Sequence, residues 1–246
     1  ATTGVNTVVQ SLSLQPGDEV LTTDLEYGAC DATWLRVCER AGASYRRVEI
    51  PLPYRRDEVV ARVMAAVTDR TRVIFVSHIT STTALILPVA ELCAAARARG
   101  ILTLIDGAHA PGQIALNIDA VGADFYVGNC HKWMCAPKGS GFLHARPEHH
   151  PMLDALVTSW GYAAGTGGHA GFDAYLGNST LERRMQWQGT RDIASWLTVP
   201  AAIEFQAKHD WPAVRARSHA LARHAYDTLT QRFQLAPVAQ DDDWAQ

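Results

Sequence analysis

The sequence has no apolar run approaching the roughly 20 residues that a membrane-spanning helix requires, and it has no block of Lys and Arg. Its 22 basic and 25 acidic side chains leave a formal charge of −3 over 246 residues. That near-neutral balance argues against a dedicated nucleic-acid binder, which needs a basic face to neutralise phosphates. No internal repeat or low-complexity segment is present. With 48% apolar and 19% charged residues, a disordered chain is excluded as well. Cysteine is limited to Cys30, Cys38, Cys93, Cys130 and Cys135. An odd count with no C-x-x-C spacing argues against a disulfide scaffold and points to reduced thiols in a cytoplasmic protein. The nearest approach to a metal pattern is Cys130-His131-x-x-x-Cys135. No second Cys/His pair completes a tetrahedral zinc site, so no metal is expected. An initiator Met and a signal-peptide pattern are also missing. The chain opens on Ala1-Thr2-Thr3-Gly4 and closes on Trp244-Ala245-Gln246 without a capped domain edge, so a segment of a longer protein is expected.

What is present alternates regularly. Val5, Val8, Val9 and Leu12 fall on one helical stripe, closed by the turn Pro16-Gly17-Asp18. Strands are predicted at Glu19–Thr23, Ser44–Ile50, Arg72–Ser77, Ile101–Asp106, Ala123–Val127 and Ser140–Ala145. Helices are predicted at Ala29–Ala41 with Gly42 as its stop, at Asp57–Val67, and from Pro88 through Arg99 with Gly100 as C-cap. Strands alternating with helices of this length imply an α/β fold with a mostly parallel sheet. The last strands lie too close together for a helical crossover, so one antiparallel member is expected. Six glycines between Gly161 and Gly177 predict a mobile loop. The helices Ile193–His209 and Pro212–Phe233 follow. The break at Asp210-Trp211-Pro212 divides an α/β domain, residues 1–210, from the beginning of a second domain, residues 211–246.

Ligands of open α/β sheets sit at the carboxyl ends of the strands. Here those ends carry Glu26-Tyr27; His78, Thr80 and Ser81; Asp106 with His109; and Asn129 through Trp133. No G-x-x-x-x-G-K-[ST] loop exists. Gly165-x-Gly167-x-x-Ala170 matches a dinucleotide fingerprint only loosely, with no strand before it and no helix after it. Ala1-Thr2-Thr3-Gly4 at a helix start offers free N–H groups and hydroxyls, as a phosphate seat or as a plain cap. Lys132, just past a buried strand, is costly to desolvate as a cation, and a neutral amine can form a Schiff base. Asp106 could cap the next turn; beside such a lysine it could instead keep a pyridinium nitrogen protonated. Trp34 and Trp196 fall on apolar helical faces and read as core. His149-His150 in a Pro-bounded turn reads as solvated.

Ala1-Thr2-Thr3, Asp106-Gly-Ala-His109, Gly128-Asn-Cys-His131-Lys132 and Gln188-Gly189-Thr190, in that order, resemble the class V aminotransferase branch of fold-type I pyridoxal phosphate (PLP) enzymes. The stretches Ile105–Gln113 and Asn129–Gly139 most resemble its isopenicillin N epimerase-like subgroup. The resemblance implies a three-layer sandwich around a mostly parallel sheet. Residues 1–210 would be the PLP-binding large domain, lacking its N-terminal part, and 211–246 a truncated start of the small C-terminal domain. It implies Lys132 as the aldimine lysine and acid/base, Asp106 on the pyridinium nitrogen and Tyr27 stacked on the cofactor. His109 and Ser81 would contact the cofactor oxygen region. Ala1, Thr2, Thr3, Asn129 and His131 would hold the phosphate. Thr190 would reach the phosphate of the neighbouring subunit in a homodimer. Ser81 stands where the family commonly has Asn, with a shorter reach. Arg191 could face a substrate carboxylate or a phosphate.

The implied activity is chemistry at the α-carbon of an amino acid, by epimerisation or a related class V reaction. A cysteine desulfurase or desulfhydrase-type C–S lyase is the alternative, because epimerisation, C–S lysis and transamination share their first proton removal. A non-catalytic ligand-binding domain on the same scaffold is the remaining reading. Neither nucleic acid nor membrane is an expected partner.

Overall fold

The computed structural model describes residues 1–163, 177, 179–239 and 243–245. The glycine-rich stretch expected to be a loop, including Gly165 to Ala170, lies largely outside them. In chain order the elements are α1 (Thr2–Ser11), β1 (Glu19–Thr23), α2 (Gly28–Ala41), β2 (Ser44–Val48), α3 (Arg56–Ala65), β3 (Thr71–Ser77), α4 (Val89–Arg97), β4 (Leu102–Gly107), α5 (Ile118–Val121), β5 (Phe125–Asn129) and β6 (Gly141–Ala145). A 3-10 turn, Pro147–Met152, leads to α6 (Trp160–Ala163), α7 (Thr180–Gln186), α8 (Ala194–Leu197), α9 (Val199–Lys208) and α10 (Trp211–Phe233).

The strands form one sheet in the order β2-β1-β3-β4-β5-β6. Four pairings are parallel, and only β5–β6 is antiparallel. Successive side chains of a strand point to opposite faces, and that alternation builds three layers. Val20, Phe75, Leu104, Phe125 and Val127 face α1 and α2, joining Val5, Val9 and Trp34. Leu21, Ile74, Val76, Ile105 and Tyr126 face α3 and α4, joining Val59, Val63 and Leu92. A Cβ on Gly4 would lie 2.8 Å from Val127 Cγ1. Glycine there lets the first turn of α1 settle onto β5. After α10 the chain returns to the α3/α4 side: Tyr54 N–H donates to Val238 O at 2.7 Å, and Ala239 and Ala245 are buried in that core.

Several boundaries differ from the sequence pattern, each for a local reason. The fifth strand begins at Phe125 rather than Ala123, because Asp124 turns its carboxylate onto the backbone N–H and hydroxyl of Thr103, 2.8 Å each. It then continues through Asn129, paired with Gly141. The helix predicted over 193–209 is two helices, α8 and α9, meeting at Thr198. Pro200 has no N–H for the preceding turn and crowds it. Trp34 is fully buried, as expected, but Trp196 is exposed, with the Arg191 guanidinium 5.3 Å from its ring centroid. His149 and His150 are half-buried rather than solvated, bonded to Asp124 Oδ1 and Ala145 O. Among the described residues no helix is long and apolar enough to cross a membrane.

Candidate active site

The chain order departs from the sheet order at β1: α2 leads outward to β2, and β3 returns on the other side. A crevice opens at the carboxyl ends of strands around such a point. A cleft of about 260 Å³ lies here, bounded by the ends of β1, β3, β4 and β5 and the start of α1. Every residue expected at the site lines it except Thr190. Thr190 is exposed in the turn before α8. Arg191 lines a neighbouring hollow, where it donates to Gln188 Oε1 at 3.2 Å.

Asp106 shares the Leu104 side of β4, so its carboxylate points toward α2. It is 3% exposed. Oδ1 accepts the Ala108 N–H at 2.9 Å, and Oδ2 accepts the Cys30 thiol at 3.4 Å. Burial first, and then the charge of Asp106, push the Cys30 thiol far above the usual range. No ion pair among the described residues involves Asp106. A buried carboxylate served by one backbone N–H and a weak thiol donor retains acceptor capacity and lacks a counter-charge. It suits a cationic N–H donor such as a pyridinium.

Lys132 follows β5 and reaches back across the cleft to His109. Its Nζ lies 2.9 Å from His109 Nε2. The His109 Nδ1 accepts the indole N–H of Trp133 at 3.2 Å. Burial lowers the Lys132 amine from its ordinary value, while Asp106 and Cys30 pull it upward. His109 is lowered too, by burial and then by the nearby lysine. On the opposite wall, Asn129 Oδ1 accepts from the Ala1 nitrogen, beside the free first-turn N–H groups of α1. His131 donates from Nδ1 to Ser140 O at 2.7 Å, which leaves Nε2 free of that bond. Tyr27 stands at the mouth, 47% exposed.

Sequence reasoning missed Ser77, Ile79 and Gly139 in the lining and Cys30 behind Asp106. Ser77 is the last residue of β3 and pairs in register with Asp106, a relation set by strand alignment. Glu26 braces that corner. Its Oε2 accepts both the N–H and the hydroxyl of Ser77, 2.7 Å each, and Oε1 accepts the Thr23 hydroxyl at 2.6 Å. The bend carrying Tyr27 is thereby tied to β3.

The chain is similar to known proteins. The chain is 44% identical over 234 residues to the isopenicillin N epimerase of Streptomyces clavuligerus, covering 94% of this chain and 58% of that protein. It is 39% identical over 241 residues to the isopenicillin N epimerase of Amycolatopsis lactamdurans, 96% of this chain and 61% of that one. A putative L-cysteine desulfhydrase of Oryza sativa subsp. japonica is 33% identical over 222 residues, 82% and 42% of the two chains. The chain thus spans about three fifths of the length of the epimerases it matches. Among solved structures, the cysteine desulfurase CsdA from Escherichia coli superposes with a TM-score of 0.78 at 24% identity, over 93% of this chain and 56% of that one. The sequence model of the class-V aminotransferases matches residues 1–243. The chain belongs to the aminotransferase class-V family.

Proposed function

We propose that the protein is a PLP-dependent enzyme acting at the α-carbon of an amino acid, as an epimerase of the isopenicillin N epimerase kind. The observation that carries this reading is a buried carboxylate without a counter-charge, Asp106, in one cleft with a lysine amine held below its ordinary pKa. When bound, PLP supplies an aldehyde for an amine and a ring that accepts electrons from the substrate α-carbon. The remaining work belongs to the chain. Asp106 would hold the proton on the ring nitrogen. The α1 N–H groups with Thr2, Thr3, Asn129 and His131 would hold the phosphate, and Tyr27 would stack on the ring. Lys132 Nζ would take the α-proton, and epimerisation would need that proton, or one from a second acid, delivered to the opposite face, by a repositioned Lys132 in the first case. Exposed Thr190, outside its own chain's cleft, is assigned to the partner's phosphate in a homodimer, and the thiol pattern to a cytoplasmic setting.

The likeness to the rice desulfhydrase favours a second reading, C–S lysis from the same first proton removal. Reconstituting full-length protein with PLP, reducing with borohydride and mapping peptides tests the common core. A pyridoxyl group on Lys132 is expected. No visible absorbance band, with Lys132→Ala behaving like wild type, overturns it. Incubation with single L-amino acids in deuterated water then separates the reactions. Deuterium at Cα with racemisation supports the epimerase, whereas pyruvate with sulfide supports the lyase.

A further inference from the structure

We propose that Trp133 is a positioning residue for Lys132: its indole N–H fixes the tautomer of His109, and that tautomer holds the lysine amine uncharged. The argument is a count of protons. An indole nitrogen only donates, so His109 Nδ1, 3.2 Å from Trp133 Nε1, must accept. An imidazolium and the Nδ1–H tautomer both place a hydrogen where the indole hydrogen already points. Only the neutral Nε2–H tautomer remains. Its Nε2–H faces Lys132 Nζ at 2.9 Å. An ammonium has three donors and no acceptor, so this contact is a hydrogen bond only if Nζ carries a lone pair.

The charge beside the amine acts in the opposite direction: Asp106 on β4 favours the ammonium, while the Cys30 thiol on α2, pushed far above its usual range, stays protonated and uncharged. Burial and the His109 donor are what oppose Asp106. Trp133 is itself anchored. Its carbonyl accepts the Gln206 side-chain amide of α9 at 2.9 Å, and Gly112 presses against the same carbonyl. A neutral amine can bond to an aldehyde without first shedding a proton. The inference rests on Lys132 being the lysine that takes the cofactor, and it adds how that lysine is kept ready.

The test uses full-length protein without cofactor. This sequence holds three lysines, Lys132, Lys138 and Lys208, all exposed in the cofactor-free chain, and the last two, outside the cleft, serve as references. Acylation by limiting acetic anhydride is followed by peptide mass spectrometry across pH. In wild type the Lys132 midpoint falls below those of the references. Trp133→Phe keeps the ring but not the donor; Lys132 labelling at neutral pH then falls about tenfold, one unit of pKa. In a His109→Gln background the same change has no further effect. A wild-type midpoint in Trp133→Phe, or an equal shift in both backgrounds, overturns the proposal. Nitrogen-15 NMR of His109 in wild type needs no variant: a protonated Nε2 and bare Nδ1 support it, and a protonated Nδ1 sinks it. If borohydride fixes the pyridoxyl group elsewhere, the functional reading fails while these midpoints still report the tautomer.

Discussion

The thiol of Cys30 is the only side-chain donor that reaches Asp106 among the described residues, and it does so weakly, at 3.4 Å on Oδ2. The carboxylate is therefore better matched to a cofactor than to the fold around it. Asp106→Asn removes a buried charge that has no ion-pair partner, so the cofactor-free variant is expected to melt at a higher temperature than wild type. On its proposed role, the same change removes the group that would stabilise charge on the ring, and turnover is expected to fall about 10² to 10³-fold. Thermal melts of the cofactor-free protein and assays of the loaded one read the two effects separately. A variant that is both less stable and fully active contradicts this account.

Glu26 sets a pH dependence. Burial, opposed by the donors from Thr23 and Ser77, leaves its carboxyl pushed up to about 8 from an ordinary 4.5. The folded state then binds this proton more tightly than the unfolded state does. Its contribution is complete at acid pH and is lost as pH rises from about 4.5 to about 8. Urea midpoints of wild type should decline across that window, while Glu26→Gln flattens the decline. An unchanged slope in the variant shows that Glu26 is ionised throughout.

Four of the five cysteines are buried, and Cys135 is exposed with φ +63° just past the Lys132 turn. A thiol reagent is expected to modify Cys135 rapidly in the native protein and the other four only on unfolding. Peptide mapping after a short pulse checks this. Rapid native modification of Cys30 would show that the wall behind Asp106 opens.

The layers were legible because strand and helix periods are written in the apolar residues. Val20 and Leu21, or Leu104 and Ile105, go to opposite faces with no further information. The cleft was legible because its polar residues sit one to three positions past apolar runs, as Asp106 and Asn129 do. What escaped depends on alignment between distant segments. Ser77 joins the site because β3 and β4 pair Ser77 with Asp106. Cys30 joins it because α2 turns that side chain inward. The extent of β5 also escaped, since it depends on Asp124 capping Thr103 across 21 positions of sequence.

Gly112 joins fold and chemistry at a single backbone position. Its φ of +83° lies in the left-handed region, and a Cβ there would stand 2.3 Å from the Trp133 carbonyl oxygen. Its own carbonyl accepts the Trp211 indole N–H at 2.7 Å, which fixes the first residue of α10 to this turn. Gly112→Ala therefore meets strain and a backbone clash together, at a cost of about 2 to 4 kcal/mol. The relief available is movement of the 133–134 segment away from the turn, which draws the Trp133 indole off His109. Gly112→Ala should then lower both the urea midpoint and Lys132 acylation at neutral pH, whereas Trp133→Phe lowers mainly the acylation. If Gly112→Ala unfolds more easily yet labels Lys132 like wild type, the Trp133 contact does not depend on this turn.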